Sequence, residues 1–175
     1  AALEKANGFL EFNTRNFLTG EVVGPGLKKI MEPIAKDGAA IKQFSEYSVA
    51  KRALELMNRP KPIKTGYEAD RKSLEQVVSA GAQRFEPIFK GIVKYQSDLL
   101  NYLKDSGIVS DSMIKAIKEA NKDYVPFFRK MDEDAISGKG KKIVNPLREI
   151  KGSERQIIDP LESIIKNTYQ FVQMA

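Results

Sequence analysis

A chain of 175 residues carries 29 Lys+Arg against 23 Asp+Glu, a net charge of +6, with 42% hydrophobic residues and no Cys, His or Trp. The absent Cys removes disulfides, thiolate nucleophiles, zinc ribbons and iron–sulfur clusters, and the absent His removes the Ser-His-Asp triad and imidazole metal sites. Any bound metal needs an oxygen cage of the magnesium or calcium type, the length suits one domain or two very small ones, and no window approaches the ~20 apolar residues of a membrane-spanning helix.

The first predicted helix runs from about Ala2 to Phe17. Leu3, Phe9, Leu10, Phe12 and Phe17 form its apolar stripe, and Gly8 weakens it. Thr19-Gly20 and Gly24-Pro25-Gly26 punctuate the chain, and a short helix follows from Leu27 to about Ile34. Asp37 is the expected N-cap of a longer helix to about Asn58, in which Ile41, Phe44, Ala50, Leu54 and Met57 recur at helical spacing. Arg59-Pro60-Lys61-Pro62 ends it, because a proline disfavours helix in the residue before it.

A modest helix is expected from about Glu68 to Ser79, broken at Gly81. The clearest segment is a helix from about Arg84 to Asp105. Phe85, Ile88, Phe89, Ile92, Val93, Leu99, Leu100 and Leu103 line one side of it, Pro87 stands in its first turn, and Gly107 is a left-handed cap. Ser110 or Asp111 caps a further helix to about Asn121. Tyr124-Val125-Pro126-Phe127-Phe128-Arg129 reads as extended, and 131–158 as a flexible basic loop region. The last helix opens with Asp159 as N-cap, Pro160 at N1 and Glu162 reaching back from N3. Its apolar face is Leu161, Ile164, Ile165, Thr168, Phe171 and Val172. The expected fold is mainly α: an irregular bundle of about six helices with one extended aromatic segment near 123–130. Residues 1–175 read as a single helical domain. Ala1 at the start and a helix with no closing Gly or Pro at 171–175 suggest an excised piece of a longer chain; trimmed or disordered ends are the plainer explanation.

Two groups of residues are candidate binding sites. Lys139, Lys141, Lys142, Arg148, Lys151 and Arg155 face only Glu149 and Glu154 in the same stretch, and lysines on a loop neutralise phosphates without reading sequence. A solvated loop that aids solubility has the same composition. Tyr124, Phe127, Phe128 and Arg129 form a candidate interaction segment, since adjacent residues of an extended strand point to opposite faces. Packing of both Phe rings in the core is the alternative. No catalytic residue stands out. Ser137-Gly138-Lys139-Gly140-Lys141-Lys142 lacks the spacing of a phosphate-binding loop. Glu162-Ser163 has the dipeptide that opens a lytic transglycosylase motif, but Glu162 is explained by the capping box. Asp132-Glu133-Asp134 is too contiguous for an EF-hand.

Five stretches carry a family resemblance: Tyr47 to Leu56, Leu99 to Ser110, Asp123 to Arg129, Ile150 to Arg155, and Asp159-Pro160-Leu161-Glu162-Ser163. Together, and discontinuously over about residues 40 to 175, they resemble a helical segment of very large polyvalent and internal virion proteins of tailed phages and related mobile elements. Tyr-Val-Pro and Asp-Pro-Leu-Glu are the most specific pieces. The resemblance implies a module in a long chain that is packaged in the virion and delivered to the host cell with the DNA. Its implied partners are other domains or copies of the same protein, with DNA as a further one. It implies no cofactor, and no catalytic residue carries over. The expectation is therefore a non-catalytic structural or interaction module. A stand-alone, sequence-independent nucleic-acid-binding module is the alternative, and a fragment of a cell-wall-degrading enzyme is a second one.

Overall fold

The computed structural model describes residues 1–62, 64–107, 110–112, 168, 169, 172 and 175. These residues are mainly helical, with one small sheet. The elements in order are α1 (Ala2–Glu11), β1 (Asn13–Arg15), β2 (Val22–Pro25), α2 (Leu27–Met31), α3 (Gly38–Met57), a 3-10 turn (Glu68–Asp70) and α4 (Arg71–Asp105).

The organising element is α4. Its 35 residues span about 52 Å at 1.5 Å per residue. It packs on α3, on α2 and on both strands of the β1–β2 hairpin. The expected break at Gly81 is absent, and Pro87 lies deep inside the helix rather than in its first turn. The reason is tertiary. A Cβ on Gly81 would stand 2.7 Å from Tyr47 Cδ2 and 2.9 Å from Phe85 Cδ2. Glycine therefore serves close packing against α3 here, not chain reversal. Phe85, Ile88, Phe89, Ile92, Leu99, Leu100 and Leu103 are all buried, as their spacing predicts.

Asp37 caps α3, accepting from Ala40 N at 3.1 Å. Phe44, Ala50 and Met57 are buried as expected, but so are Ser45, Ser48, Arg52, Ala53 and Leu56. α3 is therefore covered beyond the positions that its apolar spacing marks. A second small core of Ala50, Ala53, Met57, Tyr67 and Leu74 closes the α3–α4 turn. Gly107 follows α4 with φ +81°, the left-handed conformation expected of it. Near the other end of the sequence, Thr168 and Val172 are helical and buried. Tyr95 Oη and Thr168 Oγ1 share a hydrogen bond at 2.8 Å, and Tyr169 Oη donates to Asn7 Oδ1 at 2.5 Å.

α1 stops at Glu11, well short of Phe17. Phe9 is buried and Leu10 and Phe17 are partly so, but Leu3 and Phe12 face solvent. Two glycines in helices give opposite predictions. A Cβ on Gly8 would meet no atom within 4 Å, so Gly8→Ala should stabilise by about 1 kcal/mol through helix propensity. At Gly81 the ring contacts oppose that gain, and Gly81→Ala should cost a net ~1 kcal/mol or more. Paired urea melts read both signs, and a stabilising Gly81→Ala would refute the packing argument.

Candidate functional site

The segment read as the end of the first helix is a hairpin. Asn16 makes its turn: Oδ1 accepts from Leu18 N at 2.9 Å and Thr19 N at 3.0 Å. Gly20 takes φ +72°, and Asn16 N donates to Glu21 O at 2.9 Å. β1 and β2 pair antiparallel as Asn13 with Pro25, Thr14 with Gly24, and Arg15 with Val22. The shift after Thr14 leaves Val23 as an extra residue, a bulge.

A polar latch holds this hairpin to α4. Thr14, fully buried, donates from Oγ1 to Asp98 Oδ2 at 2.8 Å. Lys94 Nζ donates to Val23 O at 2.8 Å and to Asp98 Oδ2 at 2.9 Å. Gly24 permits the approach, since a Cβ there would lie 2.6 Å from Asp98 Oδ2. Tyr102 adds an aromatic anchor, edge to face with Phe9 at 4.9 Å and with Phe17 at 5.1 Å.

Between α1, the hairpin and Tyr102 lies a cleft of about 370 Å³. Phe9, Phe17 and Tyr102 supply its aromatic wall, and Gly8 and Gly20 line it without side chains. Lys5, Arg15 and Glu4 supply charge. Arg15 Nη1 donates to Gly20 O at 2.8 Å, and Glu4 accepts from the Ala1 amine at 3.3 Å. Beside the cleft the hairpin exposes apolar side chains: Leu18 is 74% exposed, Val22 52% and Val23 42%. This arrangement suits the docking of another polypeptide, with an apolar contact oriented by charge.

A second cluster joins α3 to α4. Tyr47 Oη and Lys51 Nζ both donate to the Glu86 carboxylate, and Lys51 lies 4.7 Å from the centre of the Phe89 ring. Burial pushes the Tyr47 phenol far up, and its hydrogen bond to Glu86 adds to that. Burial alone would raise the Glu86 carboxyl, but hydrogen bonds from Lys51 and Tyr47 and the charges of Lys51 and Lys90 outweigh it and hold it below its ordinary value. Such a group binds its proton less readily folded than unfolded. Its stabilisation is present above about pH 4.3, the ordinary Glu value, and is lost as pH falls through the lower folded value. Urea unfolding from neutral to acid pH should show Glu86→Gln with a shallower acid loss than the parent. An unchanged acid limb would exclude Glu86 as a contributor. The cluster clasps two helices and needs no substrate to account for it.

The polyanion candidates Lys139, Lys141, Lys142, Arg148, Lys151 and Arg155 lie outside the described residues, as do Tyr124, Phe127, Phe128, Arg129 and the cap pair Asp159 and Glu162. Among the described residues no group of three or more Asp or Glu is placed to hold a metal ion. No described helix is long and apolar enough to cross a membrane. No protein-family model matches the chain, and comparison with curated proteins and with solved structures finds no match either. The cleft was not visible as a site in the sequence, because its residues come from α1, the hairpin and α4. Asn16 with Thr19-Gly20, followed by paired valines, was the available signal for the hairpin.

Proposed function

We propose that the chain is a non-catalytic interaction module of a phage internal-virion or ejected polyvalent protein. In this reading it docks against other domains or copies of that protein. The observation that carries the docking is the hairpin: Leu18, Val22 and Val23 face solvent on a support held by Thr14, Lys94 and Asp98. A rigidly held apolar surface loses little freedom on binding. The virion setting is supported by the resemblance in Asp123 to Arg129 and Asp159 to Ser163. Sedimentation velocity of the chain, alone and mixed with the segments that adjoin it in its parent polypeptide, tests the reading. Complexes of defined stoichiometry are expected. A chain that stays monomeric and ignores those segments at its highest soluble concentration overturns it.

A DNA contact is the second reading, and the six basic residues against two acidic ones in 139–155 favour it. Anisotropy with mixed-sequence DNA should show binding that weakens between about 50 and 200 mM salt. Replacing Lys139, Lys141 and Lys142 by Ala should lower the log–log salt slope by about 2–3. Salt-independent binding, or none at low salt, removes the DNA contact and leaves the protein-docking reading standing.

A further inference from the structure

The hairpin lines part of the cleft through Arg15, Asn16, Phe17 and Gly20 and turns other side chains, Leu18, Glu21 and Val22, to solvent beside it. The cleft wall carries Lys5 and Arg15 around an aromatic floor. Glu4 is the one acid among the described residues that line it. The tip carries the opposite set: exposed Leu18 and Val22 around the exposed carboxylate of Glu21. Glu21 and Lys5 make no side-chain hydrogen bond or ion pair among the described residues. Gly8 adds a further observation. It sits in the interior of α1, where glycine disfavours helix. No neighbour requires it, because a Cβ there would enter open space. What its absent side chain leaves open is the cleft it lines.

We infer that the cleft seats the hairpin tip of a second copy of this chain, exchanged about a two-fold axis. Leu18 of one copy enters the cleft of the other beside Gly8, and Glu21 faces Lys5 and Arg15 there. Because tip and cleft belong to adjoining elements, a two-fold axis completes both contacts with the same residues, as an isologous interface requires. The cleft, at about 370 Å³, is at the small end of the roughly 300–1,000 Å³ of ligand pockets, which suits side chains better than a large cofactor. This inference rests on the interaction reading and names one partner for it.

Sedimentation equilibrium of the whole chain over a wide concentration range is the test. A reversible dimer that weakens with salt is expected. Leu18→Asp should weaken it about tenfold or more, since a buried leucine is lost and a charge is added. Gly8→Leu should also weaken it by filling the cleft. Helix propensity predicts that this variant folds at least as stably as the parent, so its loss of dimer cannot be ascribed to unfolding. Glu21→Lys should weaken the dimer, and Lys5→Glu added to it should restore part of the affinity. A dimer indifferent to all of these variants uses another face and overturns the inference. So does a chain that stays monomeric. If that monomer still binds the adjoining segments of its parent polypeptide, only the two-fold exchange falls. If it binds neither, the interaction reading falls with it.

Discussion

Arg52→Ala should lower the unfolding free energy by about 3–5 kcal/mol, the cost of breaking a buried ion pair from one side. Arg52 is only 1% exposed and heads the largest fully buried side chains among the described residues. Its Nη1 donates to Glu55 Oε2 at 2.8 Å, and Glu55 also accepts from Arg59 Nε at 2.7 Å. The alanine leaves a cavity and removes one of two cations from a mostly buried carboxylate. Arg52→Met separates these effects, because it restores most of the volume and none of the charge. Its loss should fall between those of the parent and the alanine. Urea denaturation of the three proteins decides the matter. A cost below about 1 kcal/mol for the alanine would be that of a surface pair, and it would mean that Arg52 does not hold the core.

Asp98→Ala should release the hairpin. Asp98 is 9% exposed and accepts from Thr14 and Lys94 at once. Its removal strands a fully buried hydroxyl and loses charge-assisted bonds, together about 2–3 kcal/mol. The loss should be concentrated locally. Amide exchange in 13–25 should speed up well before exchange in α4, because α4 keeps its contacts with α3. Thr14→Val added to Asp98→Ala should recover part of the stability, since no orphaned hydroxyl remains. Unchanged protection of 13–25 in Asp98→Ala would show that the Phe9, Phe17 and Tyr102 contacts hold the hairpin without the latch. If the exchange-dimer inference holds, the same variant should weaken self-association, because a loosened tip must be ordered again on docking.

Residue hydrophobicity gives no sign of the polar burial in this fold. Arg52, Ser48, Gln96 and Asp98 are buried in helices whose apolar residues alone had marked the inward face. Gln96 is the clearest case. Both its amide oxygen and its amide nitrogen are buried with no hydrogen-bond partner among the described residues, a state that costs stability. Such positions depend on which neighbour arrives opposite them.

Local chemistry determined much of the rest. Asp37 caps α3 because a carboxylate can take a free amide at any helix start. Gly107 adopts a left-handed φ because only glycine does so without strain. The spacing of Phe85 to Leu103 determined which side of α4 is buried, since helical geometry sets that face before any partner is present. Tertiary structure decided what depends on distant partners. Tyr47, reaching across from α3, made Gly81 a contact site inside one helix, which also runs on through Pro87. Asp98, 84 residues from Thr14 in sequence, gave the hairpin a place to bind. That contact holds the residues after α1 as a supported hairpin on α4. Short-range rules act within a turn or two of chain, whereas burial of a close-packed ring or of a shared carboxylate is settled by residues that meet only when the chain folds.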